Sequence, residues 1–229
     1  MIPVKTLQPV RSKAYVTYGL IALNGLIFLW LFFQPPAELR QTFYSLAIVP
    51  CDITRSFFSF ETVIDILRGM FFHGSWAHLA GNMGFLWIFG RNVEEYYGWK
   101  KYLLIYFGTG FIAALTHTMI YPNMCVPLVG ASGAISGILG SYLLLWPGSR
   151  VQTMIVWFRF FPRFYKIPAL AMLGYWFIVN LLSGIAALSV PTIGGVAFLA
   201  HVGGFVSGLI ITFFYLMFNK PPDRTVYLD

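Results

Sequence analysis

Two side chains in this chain have the types and settings for nucleophilic chemistry. Ser132 sits in Gly130-Ala131-Ser132-Gly133, at the head of an apolar run that ends at Trp146 and Pro147. That run is 15 residues long, about 22 Å of helix at ~1.5 Å per residue, whereas a bilayer's hydrocarbon core is roughly 30 Å thick. With Trp146 and Pro147 at the far interface, the Ser132 hydroxyl lies inside the membrane, where a polar group needs a partner. His201, in Ala200-His201-Val202-Gly203-Gly204, supplies one. A neutral imidazole within hydrogen-bond reach of a hydroxyl is the minimum for an activated serine.

A third segment adds donors. His78 and Asn82 stand four residues apart and so share a helical face in an otherwise apolar stretch. Intramembrane ionisable residues usually face the protein interior and mark function. An imidazole N–H and a side-chain amide suit a developing oxyanion. His73 and His117 lie at segment edges and read as interfacial or structural. The apolar segments carry no Asp or Glu at the depth of Ser132, so a Ser-His-Asp triad is unavailable and a dyad is expected. The same absence excludes an intramembrane aspartyl protease. No H-E-x-x-H run is present, and neither a metal nor a cofactor is expected.

These side chains need elements to hold them. Of 229 residues 58% are hydrophobic and 10% charged, against about 25% charged in a soluble domain, which makes this an integral membrane protein. Six apolar segments span about 14–33, 77–93, 101–121, 132–146, 168–189 and 196–218. The fold class expected is an all-α membrane bundle of six transmembrane helices at 14–218, flanked by a cytoplasmic N-terminus (1–13) and a cytoplasmic tail (219–229). Gly133-x-x-x-Gly137 and Gly204-x-x-x-Gly208 are small-xxx-small faces that bring the fourth and sixth helices together. Their contact sets Ser132 and His201 at similar depth.

Orientation follows from Lys and Arg. Arg40, Arg55 and Arg68 share the first outer loop with four acids, and the other twelve of the fifteen basic residues fall on the opposite side. Both termini are therefore expected in the cytoplasm, and the net charge of +7 reads as topology rather than nucleic-acid binding. The first segment is too long for the apolar region of a cleaved signal peptide. Residues 62–72 have helical apolar spacing and are expected to cover the top of the bundle, with a surface-lying helix as the alternative. Cys51 and Cys125 fall on the outer side; two free thiols are expected, with a disulfide as the alternative. The irregular stretch 122–131 is expected to wall a cavity open to the outside, because such backbone is tolerated at membrane depth only when buried or lining water.

The ordered set of motifs resembles the rhomboid intramembrane serine proteases. Gly130-Ala131-Ser132-Gly133 resembles that family's G-x-S-G, Ala200-His201 with Gly204 and Gly208 its A-H-x-x-G-x-x-x-G, and His78-x-x-x-Asn82 its H-x-x-x-N. Val93-Glu94 with Gly98 is similar to the end of its second helix. The resemblance implies Ser132 as nucleophile and His201 as general base and then acid. It also implies an oxyanion hole of His78, Asn82 and the Ser132 backbone N–H. The implied substrate is a transmembrane helix of another protein, entering sideways from the lipid bilayer, past the fifth segment with its Trp176 and Phe177, and cut near its outer end. Ser136 stands where many members carry Tyr or Phe, leaving Phe198 and Tyr106 as candidates to fill the space; the Trp-Arg pair of some members' first outer loop is absent. The alternatives are a non-enzymatic relative that binds transmembrane clients, and a small transporter. A bacterial inner membrane is the expected location.

Overall fold

The computed structural model describes residues 1–53, 59–157, 161–189 and 197–225; Arg55 and Arg159, used above for orientation, lie outside them. All six apolar segments are helical. They are α1 (Tyr15–Phe32), the run α5 (Trp76–Phe85) to α6 (Arg91–Tyr97), α7 (Trp99–Ile120), α8 (Ser132–Leu145), α9 (Ala169–Ser189) and α10 (Phe198–Phe218). Among the described residues four helices, α1, α7, α9 and α10, are long and apolar enough to cross a membrane. The second segment is interrupted by a π-helical turn, Leu86–Gly90, of the kind found at functional sites. Among the described residues, three shorter helices fill the connection between α1 and α5: α2 (Pro36–Leu46), α3 (Pro50–Ile53) and α4 (Phe60–Gly69).

α8 is the centre. Ten of its residues from Ala134 to Leu145 are buried, as expected for a helix apolar on every side. α10 and α7 lie along it, and their approach is set by glycine. A Cβ at Gly204 would strike the Gly133 carbonyl, one at Gly208 the Gly137 carbonyl, and one at Gly140 the Phe205 carbonyl. A Cβ at Gly137 would run into Thr109 of α7.

The helix ends are tied by specific polar groups. The Glu94 carboxylate, 5% exposed, accepts from the Val16 N–H at 2.9 Å, the Thr17 N–H at 2.7 Å and the Thr17 hydroxyl at 2.7 Å. It thereby caps the N-terminus of α1, where orphan N–H groups favour an anion. At the other pole of the logic, the Arg224 guanidinium donates to the Leu145 and Leu144 carbonyls at 2.9 and 3.0 Å and so satisfies the C-terminus of α8. Ser59 caps α4 by accepting from the Thr62 N–H at 3.1 Å. Ile66 of α4 is buried with Ile48 and Ala114, so this helix covers the Ser132 end of the bundle.

The bundle also carries a small antiparallel sheet that the helical pattern did not anticipate. β1 (Ile2–Thr6), β2 (Arg150–Trp157) and β3 (Phe161–Pro168) pair in the order β1-β2-β3. β2 and β3 hold one register from Arg150 opposite Pro168 to Trp157 opposite Phe161. The N-terminal stretch and the basic loop after α8, neither given an element from sequence, thus carry strands at the end of the bundle opposite Ser132.

Cys51 and Cys125 form a disulfide, which corrects the expectation of free thiols. It joins α3 to the stretch leading into α8. The same stretch is stitched further by the Leu128 N–H to the Ile48 carbonyl at 2.8 Å and the Gly130 N–H to the Gly69 carbonyl at 2.8 Å.

Candidate active site

Ser132 and His201 meet as their spacing required. The Ser132 hydroxyl lies 2.8 Å from His201 Nε2, at the first turn of α8 and the first turn of α10. The other imidazole nitrogen, Nδ1, lies 2.8 Å from Asn180 Oδ1 on α9. The Asn180 amide is oriented by its own Nδ2–H, which donates to the Trp176 carbonyl at 2.8 Å. Its oxygen therefore faces the imidazole, Nδ1 carries the proton, and Nε2 is left as an acceptor for the Ser132 hydroxyl. The Ser132 carbonyl in turn accepts from the Ser136 hydroxyl at 2.6 Å.

The α5 residues face the same place. Ser75 caps this helix by accepting from the His78 N–H at 3.2 Å, which sets His78 in its first turn. Gly130 has φ +123°, and a Cβ there would lie 2.8 Å from His78 Cε1 and Nε2 and 3.6 Å from Asn82 Nδ2. The His78 ring edge and the Asn82 amide therefore converge on the backbone that precedes Ser132. Asn82 has a partner not assigned from sequence: its Nδ2–H donates to His73 Nε2 at 2.9 Å. His73 Nδ1–H donates to the Phe71 carbonyl at 3.3 Å. Burial and the adjacent His78 push His73 down to about 4, so it stays neutral at neutral pH and keeps the lone pair that Asn82 uses. Its structural reading stands, but its partner is the candidate oxyanion donor. His117 packs its ring against Tyr121, centroids 5.0 Å apart.

A cavity of about 330 Å³ joins these groups, lined among others by His78, Asn82, Ser132, Trp176, Asn180 and His201. Its walls are α5, α8, α9 and α10. Of the stretch 122–131, Leu128, Val129 and Gly130 line an adjoining space of about 30 Å³ that Ser132 also lines. The aromatic beside the imidazole is neither Phe198 nor Tyr106. It is Trp176, whose ring lies 5.9 Å from that of His201 and 5.9 Å from that of Phe205. Tyr106 is fully buried on α7, and Phe198 packs near Gly184 of α9.

A Rhomboid domain family model matches residues 61–218. The chain belongs to the rhomboid family. Its relatives include Rhomboid protease GluP of Bacillus subtilis, 31% identical over 143 residues, covering 62% of this chain and 24% of that protein. Rhomboid-like protein 11, chloroplastic, of Arabidopsis thaliana is 29% identical over 176 residues, covering 75% and 58%. Rhomboid protein 1, mitochondrial, of Saccharomyces cerevisiae is 27% identical over 154 residues, covering 64% and 40%. The chain spans less than two thirds of the length of the curated relatives it matches.

In this rhomboid the residue that sequence reasoning missed is Asn180. It is an amide inside the run Phe177-Ile178-Val179-Asn180-Leu181-Leu182, and the rule that polar groups in apolar segments turn inward was enough to single it out. The Gly130 geometry leads to a specific expectation. Gly130→Ala places a side chain at positive φ and against His78, and should cost about 1–3 kcal/mol. Thermal unfolding in detergent micelles would read that loss, and an unchanged midpoint would refute the clash.

Proposed function

We propose that this rhomboid is an intramembrane serine endopeptidase that cleaves transmembrane helices of other membrane proteins. The observation that carries the reading is the 2.8 Å hydrogen bond from the Ser132 hydroxyl to His201 Nε2, with the imidazole held in the tautomer that accepts it. Ser132 Oγ attacks the scissile carbonyl carbon while His201 Nε2 takes its proton. The oxyanion that develops receives hydrogen bonds from His78, Asn82 and the Ser132 backbone N–H. Collapse breaks the C–N bond, and His201 returns the proton to the leaving amine. Water then attacks the acyl-enzyme, His201 takes a proton from it, and the C–O bond to Ser132 breaks as His201 returns that proton to Ser132 Oγ and the acid product departs. Gly133, Gly137, Gly204 and Gly208 hold the two helices at the separation that this exchange requires.

The protein is a multi-pass integral membrane protein, and we place six crossings within residues 14–218, both termini in the cytoplasm and the whole in a bacterial inner membrane. The sheet end carries Lys5, Arg11, Lys13, Arg150 and Arg163, in keeping with positive charge on the inside. The Ser132 end carries the disulfide, in keeping with an oxidising outer face. The cavity between α5 and α9 gives a transmembrane segment lateral access to Ser132.

The test is cleavage of a fluorescently tagged transmembrane substrate by purified protein in detergent. Wild type is expected to cut it and Ser132→Ala to leave it intact. Equal cutting by both would assign the activity to a contaminant. Binding of substrates by wild type without any cleavage would make the protein a client-binding relative instead.

A further inference from the structure

We infer that the active unit is a triad, Ser132–His201–Asn180, in which Asn180 of α9 is the positioning residue for the base. The inference rests on the serine-protease reading above and extends it to a third helix.

Three observations carry it. Asn180 Oδ1 accepts from His201 Nδ1–H at 2.8 Å, the position at which an orienting group holds an imidazole in its productive tautomer. The amide is 7% exposed and is fixed by its second bond, Nδ2–H to the Trp176 carbonyl at 2.8 Å, so its oxygen is not free to rotate away. Trp176, one turn earlier on α9, lies 5.9 Å from the His201 ring. The imidazole is thus held by α9 at its edge and flank, while Ser132 meets it from α8. His78 and Asn82 of α5 line the far side of the same cavity.

An amide oxygen orients the ring at lower desolvation cost than a carboxylate. A buried ionised Asp beside apolar α9 would be costly to desolvate, whereas a neutral amide oxygen orients the ring without that cost. The arrangement also divides the site mechanically. Ser132 and His201 belong to α8 and α10, which touch backbone to backbone through glycine. Asn180 belongs to α9, whose outward residues Tyr175, Ile178 and Leu182 are exposed. A displacement of α9 removes the orienter and leaves the dyad pair in contact, so the position of α9 governs the base.

The test compares Asn180→Ala with Asn180→Asp in micelles, using kcat and KM for a tagged transmembrane substrate and the rate of Ser132 labelling by a small fluorophosphonate probe. Asp keeps the acceptor toward His201 but has no N–H for the Trp176 carbonyl; Ala loses both. Asn180→Ala is expected to lower kcat by about 10- to 100-fold, less than the ~10⁴ lost with a charged orienting group. KM should stay within about twofold and labelling should slow in parallel. Asn180→Asp is expected to recover most of both rates. Wild-type kcat in Asn180→Ala would overturn the triad. So would equal loss in Ala and Asp, which would trace the effect to the Trp176 carbonyl, or loss of cleavage with normal labelling, which would trace it to substrate entry. If wild type neither cuts nor labels, the protease reading itself fails. Should Asn180→Ala unfold, Asn180→Leu, matched in shape, takes its place.

Discussion

Ser132→Ala, His201→Ala and the double variant are each expected to lower kcat by the same factor, on the order of 10⁴ to 10⁶. The reason is that the two groups perform one act. Without the imidazole, the hydroxyl keeps its proton and attacks no faster than an ordinary alcohol; without the hydroxyl, the imidazole has nothing to activate. Removing the second partner therefore takes away nothing that remains. The residual rate should equal that supplied by His78, Asn82 and the fit of the substrate. Losses that multiply in the double variant would mean that Ser132 and His201 act at separate steps, which the 2.8 Å contact between them argues against. Binding of a transmembrane substrate, measured by co-purification, should survive all three changes, because most of the cavity's lining comes from other residues of α5, α8 and α9.

Gly204→Ala is expected to lower activity on the order of 100-fold, although it adds one methyl group three residues from the imidazole. A Cβ at Gly204 meets the Gly133 carbonyl carbon at 3.0 Å and Ser136 Cβ at 3.3 Å. The nearest obstruction is backbone, the Gly133 oxygen, which has no rotamer to change. α8 and α10 must separate, and Ser132 separates from His201 with them. A misplacement of about 1 Å at reacting groups costs on the order of 100-fold in rate, and overpacking of this kind costs about 1–3 kcal/mol of stability. Gly174→Ala is the matched control. It lies in α9 with nothing within 4 Å of its Cβ position, and replacing glycine within a helix favours the helix by up to about 1 kcal/mol. Cleavage rate and thermal midpoint measured side by side should fall for the first and hold for the second. Full activity in Gly204→Ala would show that the dyad distance is not set by this backbone contact.

The sequence displays what depends on local pattern. Six apolar runs became six helices because run length and hydropathy are properties of the run itself. Ser132 and His201 were legible because their glycine settings imply close packing, and close packing of α8 on α10 leaves them facing each other. Asn180 was legible as an inward-turning polar group, but its role exists only once α9 is set against α10. The sheet was hidden for a different reason. β1 pairs with β2 from about 150 residues away, opposite Met154 and Thr153, and short strands give weak periodicity of their own. Cys51 and Cys125 carry no mark of pairing, which requires their Cα atoms to come within bonding reach, here 5.2 Å. The aromatic at the imidazole was sought on α10 and α7 and came from Trp176 on α9, because Ser136 gives no hint of which helix compensates for its small side chain.

The Cys51–Cys125 bond gives the molecule a covalent topology of its own. It closes a ring over a sequence separation of 74, and a loop of that size, once closed, stabilises a fold by about 4 kcal/mol through the entropy it removes from the unfolded chain. The ring contains α4 to α7, and with them His73, His78 and Asn82; Ser132, Asn180 and His201 lie on the open chain that leaves it. The proposed oxyanion donors and the proposed nucleophile are thus parts of a macrocycle and its tail. A single cut in the backbone anywhere within that ring leaves both pieces joined, so the half of the site that holds His78 and Asn82 survives a nick that would sever an open chain.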